Sequence, residues 1–372
     1  MQRTIRIRLN PPSDTAQLMQ QTIEHYTWAF NEVCKVGWGQ NTSNGSKLHD
    51  ATSYTHRANT SLPSQLVCAA RVKASEALKS AFAKKRKKQM LSCPQSKQCV
   101  IRYDARSYTI WFERNEVSIV TLNGRVKLAF CLPEYYQQYL SWKPTRADLV
   151  KDRIGRWWLH VVMETSTPKF NPTDETLGVD LGIANPATDS NNNFYGEERW
   201  KEVERIVFEL QRRLQKKGTK SAKRHLKKLS GRRRRFQKNC DHVLSKRLIQ
   251  SVKPGATLVF EDLTNIRGSA KQRKAQRRRF HSWSFAQFQA FVTYKAEARG
   301  IKVDYVDPRY TSQKCSQCGH IDRKNRPTQS DFKCKKCGYK THADYNAATN
   351  IRADYLRAAV NQPIVSTDGN VG

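Results

Sequence analysis

Acidic side chains are scarce in this chain. Its 372 residues hold 32 Asp and Glu against 67 Lys and Arg, a formal net charge of +35. Such an excess opposes compaction unless a polyanion binds, so nucleic acid is the expected partner, with an anionic membrane surface as the rival. Long apolar runs are also missing, which excludes a bilayer-spanning helix. No signal peptide is found, and the chain reads as intracellular and soluble. A disulfide framework is absent as well. Of ten cysteines, Cys34, Cys68, Cys93, Cys99, Cys131 and Cys240 are scattered and read as buried or inert thiols of a reducing compartment. No internal repeat occurs. Apolar and aromatic residues are not lacking: 38% of the chain is hydrophobic, and 8 Trp, 14 Tyr and 14 Phe exclude wholesale disorder. The length suits two or three domains.

Periodicity divides the chain. Ile5, Ile7 and Leu9 alternate as one face of a strand. Asp14 is the expected cap of a helix carrying Leu18, Met19, Ile23, Tyr26, Ala29 and Phe30. Residues 41–59 are polar and read as a loop. Pro63 and Ser64 open a second helix that runs into the basic tract 84–88. Short alternating strands are expected at 100–103, 108–112, 117–122, 126–132, 147–151 and 156–163. Together they suggest a small β-barrel that the first strand joins, with the two helices inserted into it. Residues 166–172 read as a linker. Beyond it the pattern is a strand at 177–182, a hairpin around Asn191, Asn192 and Asn193, and a helix with Val203, Ile206, Val207, Leu210 and Leu214. A second helix carries Leu244, Leu248 and Val252. Next come a strand at 256–260, a helix with Phe285, Phe288, Phe291 and Val292 closed by Gly300, and a strand at 301–306. The fold class is α+β multidomain. Barrel residues are expected at 1–10 and 96–168, the helical insertion at 11–95, an α/β domain at 172–308 and 343–372, and a metal ribbon at 309–342.

The ribbon rests on two C-x-x-C pairs, Cys315 with Cys318 and Cys334 with Cys337, fifteen residues apart and each followed by glycine. Zn²⁺ takes four thiolates tetrahedrally, and a full four-Cys shell leaves no open position, so the expected zinc is structural. Unpaired surface dithiols or a redox C-x-x-C are the bland alternatives. Several basic residues, among them Lys314, Arg323, Lys324 and Arg326, suggest that the ribbon also meets phosphate.

Three carboxylates stand out. Asp180 lies inside the apolar run Leu177-Gly-Val-Asp-Leu-Gly182, where an acid is costly without a cation. Glu261 ends the apolar strand Leu258-Val-Phe-Glu261, and Asp344 opens a helix. Singly, each is matched by a bland role, a solvated strand end or an N-cap. Together, on two strands and a helix of one basic α/β domain, they suit two hard cations, Mg²⁺ or Mn²⁺, about 4 Å apart, which activate a water and stabilise a leaving oxygen in phosphodiester hydrolysis.

At motif level the second half resembles the insertion-sequence TnpB family, the presumed ancestors of compact type V CRISPR effectors. The likeness is carried by the 177–182 run, by Val259-Phe-Glu-Asp-Leu263, by residues 306–319 through Cys315 and Cys318, and by His342-Ala-Asp-Tyr-Asn-Ala-Ala348. It is weaker, and mainly architectural, over the first 170 residues. The resemblance implies an RNA-guided DNA endonuclease. It implies a wedge β-barrel with an inserted helical recognition segment, then an RNase H-like RuvC domain with a zinc ribbon, and Asp180, Glu261 and Asp344 as catalytic acids. It also implies guide RNA and target double-stranded DNA as partners, and a cytoplasmic, nucleoid-associated prokaryotic location. The sequence leaves monomer or dimer open. Two rivals remain: a guide-dependent repressor that binds without cutting, and an RNase H-fold transposase.

Two basic tracts are the expected nucleic-acid contacts. Residues 212–238 hold fourteen Lys or Arg and no acid, including Arg232, Arg233, Arg234 and Arg235. Residues 267–279 hold seven basic residues, among them Arg277, Arg278 and Arg279, and follow the Glu261 strand. The bland reading of such a run is a solvated helix face. Trp283, Tyr310 and Tyr345 are candidates for base stacking, and as lone aromatics equally for packing.

Overall fold

The computed structural model describes residues 1–86, 92–264 and 284–360 and divides into two units, 1–166 and 167–372. The division falls at the expected linker.

The first unit is a seven-stranded sheet with helices. Its elements are β1 (Gln2–Leu9), α1 (Ser13–Gly39), α2 (Gly45–Asn59), α3 (Ser64–Arg86), β2 (Ile101–Tyr103), β3 (Tyr108–Trp111), β4 (Glu116–Thr121), β5 (Gly124–Cys131), β6 (Lys143–Lys151) and β7 (Trp157–Glu164). The strand order is β2-β6-β7-β1-β5-β4-β3, every pair antiparallel. The two edge strands follow each other in the chain, joined by a turn at Asp104, whose carbonyl accepts the amides of Ser107 and Tyr108. The Tyr103 hydroxyl reaches the Val120 carbonyl at 3.0 Å, so the sheet is a nearly closed barrel. Alternation fills it: Ile5, Ile7 and Leu9 point into one core with Leu149, Leu159, Val161 and Tyr103, and α1 adds Met19, Ile23 and Tyr26 to the same core.

Two expectations fail here. The 41–59 stretch is not a loop: Asn44 caps α2 by accepting the amides of Ser46 and Lys47. Among the described side chains of α2, only Leu48, Thr52 and His56, one per turn, are buried, too sparse and too polar a stripe to reveal a helix by periodicity. Asp14 is not a cap either. α1 begins at Ser13 behind Pro12, with no side-chain cap, and Asp14 sits in the first turn, where its charge suits the helix dipole.

The second unit is built on a five-stranded sheet, order β10-β9-β8-β11-β12, from β8 (Thr176–Asp180), β9 (Ala187–Asp189), β10 (Phe194–Tyr195), β11 (Thr257–Glu261) and β12 (Lys302–Val306). The β8, β11 and β12 strands run parallel; β9 and β10 are antiparallel. The helices are α4 (Glu198–Lys217), α5 (Lys220–Gln250), α6 (Phe285–Glu297) and α7 (Ala343–Val360). One sheet face packs Leu177, Val179, Leu258 and Phe260 against Leu244 and Leu248 of α5 and Phe288 and Val292 of α6. Gly300, at φ +63°, closes α6 as its sequence position suggests. Two short strands, β13 (Asp331–Lys333) and β14 (Lys340–His342), lie just before α7. No helix among the described residues is long and apolar enough to cross a membrane.

Candidate catalytic site and metal centre

The three acids meet on the sheet face opposite the α5–α6 core. A Cβ on Gly178 would lie 2.3 Å from the Ala348 carbonyl oxygen and 2.6 Å from the Arg352 amide, so α7 presses directly on β8 there. Asp180, two residues on, shares that face. In the parallel register Val259 stands beside Gly178, which puts Glu261, two residues beyond Val259, on the same side at the carboxyl end of β11. Asp344 arrives from the other direction, in the first turn of α7. It is not the cap of that helix: the His342 ring nitrogen Nδ1 accepts the Asp344 amide at 3.2 Å, which leaves the Asp344 carboxylate to the site.

Asp180 feels the other two acids. Burial pushes the Asp180 carboxyl well above its ordinary range, and the charges of Glu261 and Asp344 push it further. Burial also raises Glu261, against the pull of a hydrogen bond from Thr311 and the nearby Arg326 charge. Asp344, 7% exposed, accepts the Asn185 amide at 2.9 Å and the Arg326 guanidinium at 3.1 Å. Arg326 thus brings positive charge from the ribbon to all three carboxylates. The sequence grouped Arg326 only with the ribbon's other basic residues. Its role depends on a fold that carries it to a helix eighteen residues downstream, and no local pattern marks that.

The four cysteines form the tight group. Their sulfurs all lie within 4.8 Å of one another, and among the described residues no other set of three or more potential ligands is so close. The carboxylates are therefore neighbours without being drawn as close as the thiols. Cys315 and Cys337 sulfurs are 3.7 Å apart, Cys318 and Cys334 sulfurs 3.6 Å. Thiolates about 2.3 Å from a tetrahedral zinc stand about 3.8 Å apart, so the group could hold such an ion. The two knuckles are alike. Gly319 and Gly338, at φ +72° and +75°, turn back so that their amides reach the Cys315 and Cys334 carbonyls. Burial raises the Cys334 thiol, but the amides of Cys337 and Lys336, together with the Cys337 and Cys318 thiols, outweigh it and hold Cys334 down at about 6. Asn325, fully buried, ties the knuckles together. It donates to the carbonyls of Gln313 and His320 and accepts the Lys335 amide.

The basic tract 212–238 spans the end of α4 and the first half of α5, which pack as a helical hairpin. Gly218 (φ +65°) ends α4, and the Thr219 hydroxyl caps α5. Val207, Leu210, Leu214, Ala222, Leu226 and Leu229 make the seam. Arg232, Arg234 and Arg235 are exposed, whereas Arg233 turns toward α4 and pairs with Glu204 at 3.7 Å. Arg277, Arg278 and Arg279, with the rest of the 267–279 tract and Trp283, lie outside the described residues, as does part of the 84–88 tract. Tyr310 is exposed and Tyr345 partly buried.

Known proteins echo this layout. Residues 160–267 match the family model described as a probable transposase, OrfB_IS605, and residues 285–351 match the Cas12f1-like TNB domain. The CRISPR-associated endodeoxyribonuclease Cas12f1 of Sulfoacidibacillus thermotolerans is 45% identical over 118 residues, 31% of this chain and 26% of that protein. A TnpB-like protein of Methanocaldococcus jannaschii is 37% identical over 145 residues, 38% of this chain and 51% of its relative. The chain thus spans about a quarter and about half of these two relatives' lengths. The fold is that of the chain in the cryo-EM structure of a Cas12f1-sgRNA-target DNA complex, with a TM-score of 0.63 at 18% identity, covering 91% of this chain and 82% of the other. In order along the chain, residues thus match the OrfB_IS605 model and the Cas12f1-like TNB model, and the chain is similar in sequence to TnpB-like proteins and to Cas12f1.

Proposed function

We propose that the chain is an RNA-guided DNA endonuclease of an insertion sequence, hydrolysing phosphodiester bonds of guide-matched double-stranded DNA next to a short flanking motif. One observation carries the reading: Asp180, Glu261 and Asp344 gather on a single face, at the ends of two parallel strands and the start of α7, with Arg326 beside them. A buried carboxyl whose proton affinity is raised by two neighbouring acids marks a donor set for hard cations, and Asp180, Glu261 and Asp344 would hold Mg²⁺ or Mn²⁺. When bound, two such ions supply an activated water and stabilise the leaving oxygen. Arg326, released from Asp344, is placed to meet the phosphate. Cys315, Cys318, Cys334 and Cys337 would hold one structural Zn²⁺.

The domain names follow: a wedge barrel at 1–10 and 96–168, a recognition segment at 11–95, a RuvC domain at 172–308 and 343–372, and a zinc ribbon at 309–342. Base pairing with the guide reads the target sequence, and the first unit reads the flanking motif. Relatives named as a CRISPR-associated endodeoxyribonuclease and as TnpB-like support this reading over a binding-only repressor. The match to a family described as a probable transposase keeps strand joining as the second reading.

Purification with co-purifying RNA, followed by incubation with matched plasmid in Mg²⁺, decides among them. The expected outcome is linearised plasmid, with Asp180→Ala reducing cleavage to background while DNA binding survives. Cleavage that persists in Asp180→Ala removes the acids from the mechanism. Joined rather than cut strands select the transposase.

A further inference from the structure

The loop between β12 and the first knuckle carries a residue that reaches the acid site from the side. Thr311, 2% exposed, points its hydroxyl at Glu261 Oε1. The Pro308 carbonyl is also within reach at 3.2 Å, but the hydroxyl has one proton and the carboxylate is the stronger acceptor. A hydrogen bond to one oxygen fixes the rotation of a carboxylate, and with it the direction in which the other oxygen faces.

The loop holding Thr311 is itself fastened to the helix that bears Asp344. Asn350 donates both amide protons, to the carbonyls of Thr311 at 2.9 Å and Lys314 at 2.7 Å. Asn346, one turn earlier on the same face of α7, donates to the Lys314 carbonyl at 2.8 Å and accepts the Ser316 amide at 3.0 Å. Both asparagines are buried. The Asn350 Oδ1 atom has no partner among the described residues, a cost its two donor bonds must outweigh. Tyr310 adopts φ +65°, rare for a bulky residue, and its carbonyl accepts the amides of Gln313 and Lys314, which shapes the turn that delivers Thr311. From α6, Gln289 donates to the Glu261 carbonyl at 3.3 Å.

We propose that Thr311 is a positioning residue for Glu261, and that Asn350 and Asn346 transmit the placement of the Asp344 helix to it, so that the acids of β11 and α7 are set as one unit. The proposal rests on the reading of Glu261 as a metal ligand. Partners that orient a ligating carboxylate are typically worth 10- to 100-fold in metal affinity or activity.

The test compares Thr311→Val, which keeps shape and loses the hydroxyl, with Thr311→Ser, which keeps the hydroxyl, in the full chain with its RNA. Mn²⁺ affinity is measured by electron paramagnetic resonance, alongside the Mn²⁺ concentration giving half-maximal cleavage and the melting temperature. Expected is an approximately tenfold or greater weakening of Mn²⁺ binding in Thr311→Val, a matching rise in the metal requirement, and near-complete rescue in Thr311→Ser. Asn350→Leu is expected to weaken Mn²⁺ binding in the same direction. Equal Mn²⁺ affinity in wild type and Thr311→Val overturns the proposal, as does equal impairment of the Val and Ser variants. If Asp180→Ala leaves Mn²⁺ binding unchanged, the acid site itself is wrong and the inference falls with it. If Mn²⁺ binding follows the expected order but no nucleic acid is cut, the positioning role stands and the nuclease reading fails.

Discussion

Gly178 sets how closely α7 approaches β8. Its φ is ordinary, so conformational freedom is not the reason for glycine; space is. Any side chain there meets two backbone atoms of α7, which cannot swing aside as a flexible side chain can. Gly178→Ala should therefore push α7 outward, carry Asp344 away from Asp180, and destabilise the second unit by about 3 kcal/mol, at the upper end of ordinary overpacking. Thermal unfolding checks the stability; wild-type melting in Gly178→Ala would show that α7 yields more easily than the geometry indicates. The acids themselves were legible in the sequence, because an Asp inside an apolar strand and a Glu at the end of another are locally anomalous. Arg326, Thr311, Asn346 and Asn350 were not. Each is an unremarkable polar residue whose partner lies at least eighteen residues away or on another element, and only tertiary contact gives it a role.

At the scale of elements, the ribbon is the least self-sufficient part of the second unit. Its core consists of Cys315, Phe332, Cys334 and Ala343, with Tyr339 alongside, and its strands are three residues each. So little buried apolar surface cannot offset the chain entropy of thirty-odd residues, and the zinc proposed for the four sulfurs would supply the balance. Removal of the metal with a chelator should therefore open residues 309–342 to rapid amide exchange, read by mass spectrometry, while β8 and β11 stay protected; unchanged protection of the ribbon would refute a structural metal. The C-x-x-C spacing made this element readable in advance. The α2 helix was hidden for the opposite reason: its buried stripe of Leu48, Thr52 and His56 is narrow and mostly polar, and its Asn44 cap looks like any loop asparagine. Strand alternation served the barrel well because a half-buried strand writes its two faces into successive residues.

Across the whole molecule, charge decides the behaviour. A net +35 carried on 372 residues makes polyanion binding strongly salt-dependent. The hairpin of α4 and α5 concentrates that charge, but four consecutive arginines on a helix point in four directions, and Arg233 is already engaged by Glu204. Replacing Arg232, Arg234 and Arg235 with Gln should flatten the slope of log K against log salt for RNA binding by about 2, near 0.7 per lost single-strand phosphate contact. Arg233→Gln should change it little; equal effects from all four would deny the hairpin a preferred face. The tract was legible as a charge run, and its division by direction was not, since that depends on where α4 packs. The nearly closed barrel carries one more consequence, in time rather than in space. Residues Gln2–Leu9 lie between β5 and β7, and their partners in β7 run from Leu9 opposite Trp157 to Gln2 opposite Glu164. On a ribosome adding about 5–20 residues per second, the first strand waits roughly 8–30 s for the strand that completes its pairing. During that interval α1, α2 and α3 are synthesised, so all three helices are made before the barrel can close.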